Sequence, residues 1–375
     1  MPSLTRVVVA PDKFKGTLPA DGVAGAIAAG LRRGHPEVEV LECPIADGGD
    51  GTVAAAVAAG FRHVPVVATG PTGKPVQSGY ARQDDTAVVE LAAVSGLSLL
   101  PEGVPAPLTA NTLGVGELIR TALDDGCRRI VLGVGGSAGT DGGAGIAVAL
   151  GARLYDARGD ELAPGGAALL DLDRLDLSGL DPRLREVEFV VASDVDNPLL
   201  GERGAAAVYG PQKGSTPEDV ALLESALARW SEFVRRELGV DLAGAPGAGA
   251  AGGAGYAALA VLGATFRPGI DVILELTAFE DRLPGANLVI TGEGSLDEQT
   301  LHGKGPAGIA ATASARGIRV VAIAGRNALS QESLTQHGFS AAYGLTDIEP
   351  DVARCMSHTA ELLEELAARV ADDWL

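Results

Sequence analysis

Two stretches near the N-terminus share one pattern. RVVVA (6–10) is a β-branched run that ends in the polar loop PDKFKGT (11–17), and a helical stretch with Pro19 near its first turn runs on to Gly34. VEVLECPIA (38–46) is a second apolar run, and it ends in DGGDGT (47–52) before TVAAAVAAG. Thr17 and Thr52 stand where capping residues belong. Strand, glycine-polar loop and helix, given twice, is the unit of a parallel sheet whose loops lie at the C-terminal strand ends.

Between Val64 and Leu100 the rhythm changes. VPVVATGP, KPVQSGYARQ and TAVVELAAV follow one another with turn residues and no helix, which predicts antiparallel neighbours. The βα order then returns: a helix near 114–126, the strand RRIVLGVG (128–135), a short helix to about Leu150, and the strands ARLYD and VEFVVASDVDNP (187–198). Residues 217–238 carry Val220, Leu223, Ala226, Trp230, Phe233 and Val234 at helical period. ANLVITGEG (286–294), a helix near 306–316, IRVVAIAG (318–325) and a last amphipathic helix near 351–371 are again parallel in style.

Residues 1–70 and 285–375 each hold about two βα units, too few alone for a doubly wound sheet and enough together. The expected fold is α/β: a discontinuous Rossmann-like, doubly wound parallel-sheet domain from 1–70 and 285–375. A second α/β domain with mixed-sheet strands, 71–284, is inserted into it, and the active site is expected in the cleft between them.

Charge narrows the partners. The 375 residues carry 29 basic and 49 acidic side chains, a net −20, which excludes a general nucleic-acid or anionic-membrane surface. Only five basic residues are lysines (Lys13, Lys15, Lys74, Lys213 and Lys304), and each lies within three residues of a glycine. Compact ammonium groups in tight turns suit anionic small molecules. Three dispersed cysteines, without a Cys-x-x-Cys, argue against a zinc site or disulfide framework and suit a reducing, cytoplasmic setting. The N-terminal apolar stretch is too short for a signal peptide. The uncharged run Leu242–Phe266 holds seven glycines and a proline, and so reads as a Gly-Ala loop entering a buried helix rather than a membrane span. No motif bears on oligomeric state.

Six loops combine glycine with Asp, Lys, Ser or Thr after strand-like runs: 11–17, 46–52, 133–145, 192–198, 209–215 and 291–305. Glycines let successive N–H groups converge on a phosphate, carboxylates hold Mg²⁺, and lysine neutralises a transferring group. No Walker A or protein-kinase motif is present. Gly133–Ala138 fits G-x-G-x-x-A, with Asp156 ending the next strand, which keeps an NAD(P)-dependent oxidoreductase as the alternative enzyme. The extra glycines and Asp141 fit a phosphate loop better. Bland readings stand beside the acids: Asp47 and Asp50 as helix caps, Asp194 and Asp196 in a turn before Pro198, Asp141 in a turn, Glu293 and Asp297 as first-turn acids.

APDKFKGT, ADGGDGT, GVGGSAGTDGGAG, SDVDNPL with YGPQKG, and TGEGSLDEQTLHGK, in this order, resemble the bacterial glycerate kinase family of the glycerate 2-kinase type, over roughly residues 5–345. The resemblance implies ATP-dependent, Mg²⁺-assisted phosphorylation of D-glycerate in sugar-acid or glyoxylate breakdown, with 2-phosphoglycerate the favoured product. It also implies a two-domain cytoplasmic enzyme. A non-catalytic sugar-acid-binding regulator is the rival outside enzymes. The chemistry, rather than the family, suggests the roles. Asp194 orients or deprotonates the hydroxyl, Lys13 and Lys15 meet the glycerate carboxylate or γ-phosphate, and Asp196 and Asp47 face Mg²⁺. Gly133, Gly135, Gly136, Ser137, Thr140, Lys213 and Lys304 serve ATP.

Overall fold

A computed structural model describes residues 5–301 and 305–375, so Lys304 lies outside the described residues. The chain forms two compact units, Met1–Asp47 with Ala54–Gly60 and Gly269–Leu375, and Gly48–Val53 with Phe61–Pro268.

The first unit is built on a five-stranded sheet in the order Ala341–Gly344, Arg319–Ala324, Leu288–Gly292, Arg6–Pro11, Glu39–Glu42, and every pairing is parallel. Numbered in chain order this is 2-1-3-4-5, a doubly wound arrangement whose connections reverse between Arg6–Pro11 and Leu288–Gly292. The central strands are buried on both faces, as helices on each side require. Val7, Val9, Leu288, Ile290, Val321 and Ile323 pack with the helices Ala20–Gly34 and Thr359–Trp374.

The second unit carries a six-stranded mixed sheet in the order Thr265–Arg267, Glu188–Ala192, Arg129–Gly133, Thr86–Glu90, Pro75–Gln83, Arg62–Thr69. The first four strands are parallel and the last two antiparallel. The helix Pro217–Leu238 begins with a capping box at Thr216 and Asp219, and it buries Leu223, Ala226, Trp230 and Val234.

Several local expectations change. Arg62–Thr69 pairs into the second unit's sheet, so the chain passes between units near residue 60 rather than 70. Thr17 caps nothing: its hydroxyl donates to Phe14 O, and the first helix starts at Ala20 after Pro19. The Thr52 hydroxyl likewise donates to Gly49 O, because it sits inside a tight turn rather than before a free helix end. Arg153–Tyr155 leaves the main sheet for an antiparallel ribbon with Arg174–Asp176. The last amphipathic stretch breaks at His358 into two helices.

Candidate active site

In the first unit, three acids stand at the C-terminal ends of three adjacent parallel strands. Asp12 follows Pro11, Glu293 follows Gly292, and Asp47 lies in the loop after Glu39–Glu42. The Asp12 N–H donates to Gly292 O at 2.8 Å, which locks the ends of the two central strands together. Gly292 cannot be another residue: a Cβ there would come within 1.7 Å of Ile323 O. This is the reversal point of the sheet, where ligands of doubly wound folds bind.

Asp12 is only 7% exposed. Its Oδ1 accepts from the Lys13 N–H at 2.6 Å, and Lys13 Nζ is 3.6 Å away. Burial pushes its carboxyl up from 3.8 to about 7; Lys13 opposes this, and the neighbouring Asp47 and Glu293 charges add to it. A buried acid poised near neutrality among other carboxylates and a lysine can hold or pass a proton. Glu293 Oε1 accepts from the Thr300 hydroxyl at 2.5 Å. Lys15 is exposed beyond the buried Phe14.

In the second unit the loops after Thr86–Glu90, Arg129–Gly133 and Glu188–Ala192 are neighbours, since Glu90 pairs with Gly133 and Gly133 with Ala192. Glu90 is buried and accepts from the N–H groups of Gly51 and Val53 at 3.1 and 3.2 Å. Burial pushes its carboxyl up to about 7, against those two hydrogen bonds and with help from Asp50.

The loop 133–143 divides into two parts. Gly133 and Gly135 are occupied in packing, because a Cβ at either would come within 2.6 Å of Gly48 O or 2.7 Å of Gly49 Cα. Gly135 and Gly136 reach the surface, with Gly136 at φ +70°, whereas Ser137 and Thr140 are buried. Asp141, 1% exposed, accepts from Thr112 N–H and Oγ1 (both 2.9 Å), Gly143 N–H (3.1 Å) and Gly145 N–H (3.2 Å). Burial pushes its carboxyl up while those four bonds pull it down.

Asp194 and Asp196 are exposed beyond the strand Glu188–Ala192. Asp196 is paired with Arg203 at 3.2 Å. Lys213 is buried, and its ammonium donates to Gly139 O at 2.5 Å. Of the residues picked out by the sequence reading, Lys13 and Asp47 come together in one unit. Gly133–Thr140, Lys213, Asp194 and Asp196 belong to the other. That reading passed over Asp12 and Glu90. Both end apolar strands, the same signal that singled out Asp194.

The glycerate kinase family profile matches residues 7–375. The chain belongs to the glycerate kinase family. Glycerate kinase of Bacillus subtilis strain 168 is 43% identical over 369 residues, 98% of this chain and 97% of that protein. Glycerate 2-kinase of Escherichia coli K12 is 43% identical, covering 91% of this chain and 90% of its own. A crystal structure assigned to glycerate kinase 2 of Salmonella typhimurium LT2 superposes with a TM-score of 0.85 at 44% identity, over 99% of this chain and 98% of that one. Membership in the glycerate kinase family makes this an enzyme that transfers a phosphoryl group. The match along the whole chain gives no support to the oxidoreductase or non-catalytic readings, and the helix after the glycine loop, Ala144–Ala149, is only six residues long. Among the described residues, no helix is long and apolar enough to cross a membrane.

Proposed function

We propose that the enzyme transfers the γ-phosphoryl group of ATP to the 2-hydroxyl of D-glycerate with Mg²⁺ present, in the cytoplasm. The observation that carries this reading is the group Asp12, Lys13, Asp47 and Glu293 at the reversal point of a parallel sheet, in a chain of this family. Three free, buried cysteines are compatible with a reducing compartment.

The donors fit Mg²⁺ in a limited way. Among the described residues, no three His, Cys, Asp or Glu side chains form a group able to hold a metal by themselves. Mg²⁺ needs only one or two carboxylates when substrate phosphates and waters complete its shell. Asp47 is the better candidate, since it lies at the reversal point of the parallel sheet beside Asp12, whereas Asp196 stands exposed and paired with Arg203. When bound, the ion supplies charge neutralisation on the phosphate oxygens.

The protein's own groups then divide the work. Lys13 and Lys15 bring positive charge to the anionic substrates of a −20 protein, and the backbone N–H groups of the half-buried Gly135, which packs on Gly49, and of the exposed Gly136 serve the ATP phosphates. Asp194 orients the substrate hydroxyl and takes its proton as the new O–P bond forms and the γ-phosphorus bond to the bridging oxygen breaks, releasing ADP. The 2-position is supported by the glycerate 2-kinase of Escherichia coli among the relatives. ADP release on adding D-glycerate, followed by phosphorus NMR of the product, tests both statements: no ADP removes the reaction, and a 3-phosphoglycerate signal removes the position.

A further inference from the structure

Lys213 carries a charge in a place that chemistry disfavours. It is 1% exposed, at the end of the short turn Pro211–Lys213 that precedes the helix Pro217–Leu238. Burial pulls its ammonium down to about 7, against the pull of Asp141 across the loop. A methionine would fill the same volume without that desolvation cost.

What the charge does is visible in its surroundings. Nζ donates to Gly139 O at 2.5 Å. A Cβ on Gly252 would lie 2.8 Å from Nζ and 2.1 Å from Gly139 O. The ammonium, the loop and the left-handed turn Ala251–Gly253 therefore meet with no room for a methyl group. The same stretch of loop is held twice more: Trp230 Nε1 donates to Gly142 O at 3.0 Å, and Gly142 N–H donates to Gly252 O at 3.0 Å. The Thr140 hydroxyl beside the brace is buried with no hydrogen-bond partner. In a trans peptide the C=O and the following N–H point opposite ways. Drawing the Gly139 carbonyl inward thus sets the plane of the Gly139–Thr140 peptide, three residues beyond the exposed Gly136.

We propose that Lys213 is a positioning residue for phosphoryl transfer: its ammonium braces the buried half of the loop 133–143 from beneath and touches neither substrate. The proposal rests on the reading of Gly135–Gly136 as the place that receives ATP phosphates.

The experiment uses the full chain and its Lys213→Met variant. Amide exchange over 138–143 should be at least tenfold faster in the variant. The Kd for a non-hydrolysable ATP analogue should rise at least tenfold, while KM for glycerate stays within twofold. Unchanged exchange overturns the brace. Faster exchange with an unchanged analogue Kd overturns the link to phosphoryl transfer. Protection of 135–136 by the analogue in the wild type tests the underlying reading separately, since it does not depend on Lys213. If Lys213→Met does not fold, Gly252→Ala keeps the ammonium but displaces Gly139 O; it should weaken the analogue in the same direction, and normal binding there overturns the proposal.

Discussion

Asp12→Asn removes a buried ionisable group while keeping its shape and its hydrogen-bond acceptor for the Lys13 N–H. In the unfolded chain the Asp12 carboxyl loses its proton near 3.8, in the folded chain near 7. Between those values the unfolded state binds fewer protons than the folded one, so stability falls as pH rises. This contribution is fully present below about pH 4 and is lost as pH rises through 7. Integrated from pH 5 to pH 8, a shift of this size removes about 2.5 kcal/mol from the wild type and nothing from the variant. Urea unfolding of both proteins at the two pH values measures the difference of differences, in which the other acids cancel. The variant should be the more stable protein at pH 8, by a margin that shrinks at pH 5. Equal pH slopes in the two proteins would refute the claim that burial, aided by Asp47 and Glu293, outweighs the nearby Lys13 at Asp12. If Asp12 also handles a proton in the reaction, the same variant loses kcat, and the acid limb of the wild-type pH–rate profile near pH 7 disappears with it.

Asp194→Asn should lower kcat by about 10²–10⁴ with the fold intact by circular dichroism; near-normal turnover retires its role at the hydroxyl. Lys13→Ala and Lys15→Ala should each cost at least about tenfold in kcat/KM, about 1.4 kcal/mol. Arg235→Ala on the exposed side of its helix changes net charge equally and should cost little, and equal losses in all three would mean that only net charge matters. Gly135→Val should destabilise by about 1–3 kcal/mol, because its side chain meets the Gly49 backbone; an unchanged melting temperature would show that the segment 48–53 is not held against this loop.

The sequence by itself determined the elements, the parallel order of the terminal segments and the family. The β-branched run at Val7–Val9 and the helical spacing of Leu223, Ala226, Trp230 and Val234 bury in the structure because each pattern already matches a strand or helix period. It also marked the loops where glycine, acid and lysine crowd together. Tertiary structure decided what those residues do. Gly133 and Gly135 serve close packing on the backbone of Gly48 and Gly49. Lys213 and Asp141 turn inward to support a loop. Asp12, inconspicuous in PDKFKGT, gains its character from strands almost 300 residues apart in sequence that pair at Pro11 and Gly292. A charge's depth and neighbours depend on such long-range pairings, and no local pattern carries them. That is why the fold was legible in one chain and the burial of its ionisable groups was not.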